Sequence, residues 1–354
     1  DFLQETDRQG IIVQLEVWAT FDFYREEWKK NPYNPAMNVN YGADRTNLKV
    51  EVNTHPVYTQ NNFFRSVPLL NSNFRLLEYQ QKFVDKLLET SLPYRHVLYC
   101  MDNETSVSAA WGRFWSNYIK KVAKENGVRV YTTEMWDPHD LNHVAHRETF
   151  DHPEIYDFAD ISQNNHKSGQ EHWNNGLKQV QRVASSGVVR PLNNVKVYGN
   201  DGGRHQTTEN AMESFCRNVF FGAASVRFHR PNSGQGLNGT AQAAIKSMRM
   251  LEQAFDIFNS EEATVLLTDR EANEAYCRTV PGKAWAVYFT GNDAINLNLE
   301  DLQGRGQVRW LPVHQPEWQE APTVKGGRPA QFSPPAEAPH GWVLLVESTG
   351  KQGR

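Results

Sequence analysis

The tripeptide Asp102-Asn103-Glu104 directly follows the apolar run HVLYCM at 96–101. A carboxyl at a strand end can be kept protonated to donate to an oxygen, or ionised to attack or to activate water. Breaking a glycosidic bond uses two such carboxyls on opposite sides of the bond. An asparagine beside the acid can bind a sugar hydroxyl. Glu104 is thus the candidate acid/base, with Asn103 as its substrate-binding neighbour. The alternative is a loop carboxylate capping the helix expected from about Ser106. Asp201 is the preferred second carboxyl: it follows NVKVYGN and precedes Gly202-Gly203, whose bare backbone lets a ligand approach. Glu134, in TTEMWD, is the other candidate nucleophile, and the loser of the two would be a hydrogen-bonding or pKa-tuning neighbour. Asn-Asp-Gly-Gly is also ordinary turn chemistry.

Further polar and aromatic residues stand at expected strand ends: Glu16 and Trp18; Trp136; Gln163, Asn164, Asn165 and His166; and Arg204, His205, Arg227, His229 and Arg230. They would line the mouth of a cleft for a hydroxyl-rich ligand. Each also has a plain reading, with Trp18 as core and Arg227 or Arg230 in an ion pair. His139, His143 and His146, with Asp140, would share one face if helical, as a metal site requires. The adjacent glutamate of the zinc-protease helix is absent, and a solvated loop without metal is the expectation. No cofactor is expected. Asn103-Glu-Thr and Asn238-Gly-Thr match the glycosylation pattern by chance, and Cys100, Cys216 and Cys277 read as buried free thiols.

Strands alternating with helices must position these residues. A helix tail over 1–9 ends at Gly10, and IIVQLEVW (11–18) is a strand followed by a long polar and aromatic loop. Helical spacing covers 74–90, 108–125, 170–186, 208–221 and 239–258. Strands are expected at 96–101, 128–132, 156–162, 194–198 and 224–229. This order calls for a parallel sheet, and polar residues just past the strands fit a barrel enzyme. A doubly wound sheet competes, but no glycine-rich phosphate loop supports it. Beyond residue 260 the pattern becomes short strands at 284–290, 294–299, 306–311 and 341–347, split by Gly, Pro and Asn, as in an antiparallel sandwich. The expected domains are a barrel over 1–260 and a sandwich over 261–354.

Composition agrees. The 354 residues are 39% hydrophobic, with ten Trp, 13 Tyr and 18 Phe, suiting both a core and the apolar faces of sugar rings. The net charge of −4, mixed in sign, gives no footprint for nucleic acid. No apolar run is long enough to span a membrane.

HVLYCMDNET resembles the fourth strand of clan-A-type glycoside hydrolases, where a terminal Asn-Glu supplies the acid/base. GIIVQLEVW then looks like the third strand, and NPYNPAMNVNY resembles the following loop of bacterial barrel proteins related to the apiosidase-like group. The tail PGKAWAVYFTG through GWVLLVE is similar to the collagen-binding-type β-sandwich that follows such barrels. The resemblance implies an α/β (β/α)8 TIM barrel with strands three to eight visible and an N-terminally incomplete barrel domain. Upstream sequence, or another chain, would supply two strands. It also implies a retaining hydrolase of poly- or oligosaccharides, periplasmic or secreted. The family places a glutamate nucleophile after the seventh strand, where this chain has Asp201. A non-catalytic carbohydrate-binding protein on a degenerate barrel and a metal-dependent hydrolase are the competing functions. The long loop at 19–63 favours exo action by walling off one end of the cleft.

Overall fold

The computed structural model describes residues 1–55, 61–198, 207–229 and 237–350. The chain forms two compact units: residues 1–163 with 183–190, and residues 164–182 with 191–354.

The first unit opens with helix α1 (Phe2–Arg8), after which Gly10 takes φ +67 and turns the chain into strand β1 (Val13–Ala19). The loop to residue 73 carries short helices α2 (Arg25–Lys30) and α3 (Ala43–Thr46). Two of its side chains tie the loop to itself. Trp28 Nε1 donates to the Lys49 carbonyl, and Asn34 Nδ2 donates to the Trp28 and Val50 carbonyls. Helix α4 (Phe74–Ser91) starts where Asn73 accepts from the Leu76 amide, and leads to β2 (Val97–Asn103). Helix α5 (Ala109–Glu125) is capped by Ser108 and leads to β3 (Thr132–Thr133). Helix α6 (Val144–Phe150) and β4 (Ala159–Asp160) complete the unit.

β1 pairs parallel with β2, from Val13 opposite Val97 to Ala19 opposite Asn103, and β2 pairs parallel with β3. Parallel pairing needs a crossover between the strands, which α4 and α5 supply. Pleating then sorts the side chains of β2. Val97, Tyr99 and Met101 enter an apolar core with Leu76, Val84 and Leu88 of α4 and Trp111, Trp115 and Ile119 of α5. Cys100 and Asp102 take the other face. Truncating Trp111 or Trp115, both fully buried, would cost roughly 3–5 kcal/mol.

In the second unit, α7 (Gly169–Ser185) leads to β5 (Leu192–Val197), α8 (Thr208–Phe221), β6 (Ser225–Phe228) and α9 (Gly239–Ala254). β5 and β6 pair in parallel. Thr207 and Asn238 cap α8 and α9, accepting from the Asn210 and Ala241 amides. Gly222 ends α8 at φ +100, a left-handed C-cap that a Cβ would disfavour. α9 stops at Ala254, short of the expected 258, where Phe255 turns to extended backbone and buries its ring.

The remaining strands are β7 (Glu261–Glu262), β8 (Leu267–Thr268), β9 (Ala275–Val280), β10 (Ala284–Phe289), β11 (Ile295–Leu297), β12 (Arg305–Pro312), β13 (Gln319–Lys325), β14 (Ala330–Phe332) and β15 (Trp342–Ser348). They form one antiparallel sheet in the order β13-β12-β15-β10-β9-β7 and a smaller one in the order β14-β11-β8. Trp285, Val287, Phe289, Leu297, Trp310, Phe332, Leu344 and Val346 fill the core between them. Five of these strands, β7, β8, β9, β13 and β14, lie outside the expected ranges, two of them for visible physical reasons. β9 is buried on both faces, with Cys277 in the sandwich core while Tyr276 stacks on Trp173 of α7 at 4.0 Å and Arg278 donates to the Phe220 carbonyl at the end of α8. β13 is an exposed edge strand interrupted by Pro322. Ser247 of α9 also donates to the Pro312 and Val313 carbonyls, so the sandwich is fastened to the helices of its own unit.

Candidate active site

Glu104 stands immediately past β2 with φ +50, in the left-handed region that a residue with a side chain enters only when its surroundings hold it there. Those surroundings are visible. The Thr20 hydroxyl donates to the Glu104 carbonyl at 3.1 Å and approaches that of Asn103 at 3.4 Å. Parallel pairing resumes one residue later, where the Thr105 amide donates to the Met135 carbonyl and the Asp137 amide to the Thr105 carbonyl, each at 2.8 Å. Glu104 is therefore a one-residue break in an otherwise continuous ladder. Its side chain is half-buried. It does not cap α5, since Ser108 does.

Two groups missing from the sequence reading join it. Asp137 is half-buried at the end of the resumed ladder, with the Ser106 hydroxyl 3.4 Å from its carboxylate. His55 lies in the field of both Asp137 and Glu104. Burial lowers the His55 pKa, and the two carboxylates oppose that shift. The position of Asp137, three residues past Glu134, was the one available clue to it. His55 comes from a loop with no periodicity to place it.

Behind Glu104 lies a buried pair of acids, Asp102 at 0% exposure and Glu134 at 1%. Burial pushes Asp102 well above the usual carboxylate range, against the opposing pull of the Thr105 side chain and the Thr20 and Asn103 backbone, with Glu16 raising it further. Burial also raises Glu134, and the charge of Asp102 adds to it. The negative charge of Asp102 thus disfavours ionisation of Glu134. The Glu134 carboxylate rests against Gly112 of α5, near the Tyr156 hydroxyl. Glu134, the alternative nucleophile, is thus placed in the core beside α5.

The other expected cleft residues are placed as follows. Trp18 packs against Phe63, Phe83, Trp111 and Trp115 at centroid distances of 5.0–5.9 Å, as part of the core. Trp136 is buried and donates from Nε1 to the Thr149 hydroxyl at 2.8 Å. Glu16 is exposed on β1, opposite Cys100 in register. In the second unit, Asn164 and Asn165 are buried, with Asn164 Nδ2 bonded to the His172 carbonyl, while His166 is exposed. Exposed Arg227 reaches the Val195 carbonyl and His229 Nδ1, and Tyr198 meets the His229 ring edge-on at 5.0 Å. Asp201, Arg204, His205 and Arg230 lie outside the described residues.

The three histidines do not converge. His143 caps α6, its Nδ1 accepting from the Ala145 amide, and His146 is buried with Nε2 bonded to the Pro138 carbonyl. Among the described residues, no group of three His, Cys, Asp or Glu could hold a metal ion, and no helix is long and apolar enough to cross a membrane. Cys100, Cys216 and Cys277 are buried free thiols.

No protein-family profile and no curated protein matches the sequence. Solved structures do match the fold. A glycoside hydrolase gives a TM-score of 0.62 at 10% identity over 99% of this chain and 88% of that one. A family 5 glycoside hydrolase from Bacteroides vulgatus gives 0.61 at 10% identity, over 98% and 84%. The maltogenic alpha-amylase AmyB from Thermotoga neapolitana gives 0.57 at 10% identity, over 99% and 80%. At this identity the likeness is one of fold, and the chain has the α/β TIM-barrel-like fold of these glycoside hydrolases followed by an antiparallel β-sandwich.

Proposed function

We propose that the chain is a glycoside hydrolase acting on a poly- or oligosaccharide, with Glu104 as the general acid/base. The observation that carries this reading is a carboxylate at the C-terminal end of a parallel strand, held at φ +50 by neighbours that include Thr20. Backbone outliers of this kind gather at functional sites, and strand C-termini are where barrel enzymes keep theirs. The fold shared with solved glycoside hydrolases supports the same reading. His55 interacts electrostatically with both Glu104 and Asp137, and two buried acids, Asp102 and Glu134, lie behind.

The second carboxyl in this proposal is Asp201, with the buried Glu134 as the alternative. In the retaining mechanism Glu104 donates a proton to the leaving oxygen while the nucleophile forms a glycosyl-enzyme. Glu104 then takes a proton from the water that releases the sugar. Retention calls for carboxyls roughly 5–5.5 Å apart. The apiosidase-like relationship and the collagen-binding-type sandwich belong to this proposal too, with the sandwich as a structural module. So does work on a polysaccharide in the periplasm or outside the cell. β1 ends its sheet among the described residues, with Ile11 and Ile12 exposed just before it.

The test is a screen of polysaccharides and aryl glycosides with the parent and Glu104→Gln side by side. Turnover by the parent and a loss of roughly a hundredfold or more in the variant is the expected result. Equal turnover by both would remove Glu104 from the chemistry.

A further inference from the structure

Thr20, whose hydroxyl holds the Glu104 carbonyl, begins a short helical turn over Thr20–Phe23. This turn divides its aromatic residues. Phe23 is 4% exposed and packs on Phe63 at 4.0 Å, deep in the core. Phe21 is 38% exposed, although it is as apolar as Phe23. Its ring lies 6.2 Å from the half-buried Tyr24 ring. The imidazole of His55 stands edge-on to both, at 5.7 Å from Phe21 and 5.3 Å from Tyr24. His55 is also the group that lies in the field of Glu104. The hydrogen bond from Thr20, covalently next to Phe21, sets this aromatic group beside the acid, and His55 interacts electrostatically with the same residue.

The group is also held stiffly. Arg25 places its guanidinium 5.1 Å from the Tyr24 ring centroid and adopts φ +56, a second left-handed residue in the same small region. Its amide is pinned to the Val52 carbonyl at 2.6 Å, and Val52 is itself in the core. A left-handed residue with a side chain costs about 1–2 kcal/mol, so the core anchors at Phe23, Trp28 and Val52 must outweigh that cost. The result is a rigid set of aromatic faces with an imidazole and a guanidinium at its border, open to solvent next to a strand-end acid.

We propose that Phe21, Tyr24 and His55 form a stacking platform for the sugar ring on the leaving-group side of the scissile bond. This rests on the reading of Glu104 as general acid. The chemistry of recognition is that of a neutral sugar: apolar C–H faces lie on the aromatic rings while hydroxyls at the ring edge meet His55 and Arg25. The leaving-group side follows from position. A general acid delivers its proton to the departing oxygen, and the platform grows from the segment bonded to Glu104, on the loop beyond the end of β1.

The experiment is binding to an array of neutral plant, algal and bacterial oligosaccharides. It uses the full chain carrying Glu104→Gln, which keeps shape and prevents turnover. That chain is compared with the same chain also carrying Phe21→Ala and Tyr24→Ala, and with a version carrying only Phe21→Leu. Leucine keeps the apolar volume and removes the aromatic face, and a thermal melt verifies folding. Loss of one or two aromatic stacking contacts is expected to weaken binding about tenfold, with Phe21→Leu falling between. Binding by the Glu104→Gln chain that is unchanged in both comparison chains overturns the platform and leaves the glycosidase reading intact. Binding of no oligosaccharide by the Glu104→Gln chain overturns the platform together with the carbohydrate reading beneath it.

Discussion

Substituting Gly112 with alanine tests whether the acid behind Glu104 is packed as described. Gly112 lies in the first turns of α5, where alanine over glycine favours a helix by roughly 1 kcal/mol. Here the structure reverses the sign. A Cβ at Gly112 would stand 1.8 Å from Glu134 Oε2, 3.0 Å from its carboxyl carbon and 2.9 Å from the Tyr156 hydroxyl. The carboxyl must therefore leave its place. Overpacking of a core costs about 1–3 kcal/mol, and leaving a buried polar group without a partner costs a further 1–3 kcal/mol or so. Less the helix preference, Gly112→Ala should destabilise the first unit by roughly 1–5 kcal/mol. Urea unfolding followed by the fluorescence of Trp18, Trp111 and Trp115, which share one core, reads this directly. In a Glu134→Ala background the main obstacle is gone, and the same substitution should be neutral or stabilising. A Gly112→Ala chain at least as stable as its parent would refute the packing, as would an equal effect in both backgrounds.

Other outcomes follow from the same geometry. Asp102 has its pKa raised by folding, so the folded state binds a proton that the unfolded state releases above about pH 4, and stability is lost as pH rises from there toward the raised value. Asp102→Asn should therefore stabilise the chain at pH 8 relative to the parent and lose that advantage near pH 4, in urea melts at the two values. Arg217 of α8 is fully buried and bonded to Glu213 at 2.6 Å and Asn273 at 2.8 Å. Arg217→Ala strands the Glu213 charge and should cost the second unit about 3–5 kcal/mol, measured by chemical unfolding, whereas Arg217→Met with Glu213→Leu should recover most of it.

Periodicity made the helices legible. Phe74–Ser91, Ala109–Glu125 and Thr208–Phe221 lie within a residue of the ranges expected, because each buries a stripe and carries a side-chain cap. The short barrel strands were harder. The expected strand at 128–132 is reduced to Thr132–Thr133, since its pairing continues as the isolated bridge between Thr105 and Trp136 past the break at Glu104. Glu104 itself was readable from its place after an apolar run, and its left-handed backbone was not, because Asn-Glu-Thr carries no glycine to announce a positive φ. The burial of Trp18 and Trp136 was not legible for one reason. At a strand end an aromatic ring can turn to the cleft or to the helices, and the sequence does not say which partners, such as Trp115 or Thr149, stand ready to receive it. Asp137 and His55 come near this strand end by tertiary structure alone, from segments with no pattern that places them there.

The account turns on Glu104 giving a proton to a departing oxygen, and leaving-group dependence measures that donation directly. Two glycosides of one sugar, one with an activated aryl group and one with a poor alkyl or sugar leaving group, would be hydrolysed by the parent and by Glu104→Gln. The account predicts a loss of roughly a hundredfold or more on the poor leaving group and a much smaller loss in the first step on the activated one, which departs without a proton. Equal loss on both, or none on either, would contradict it.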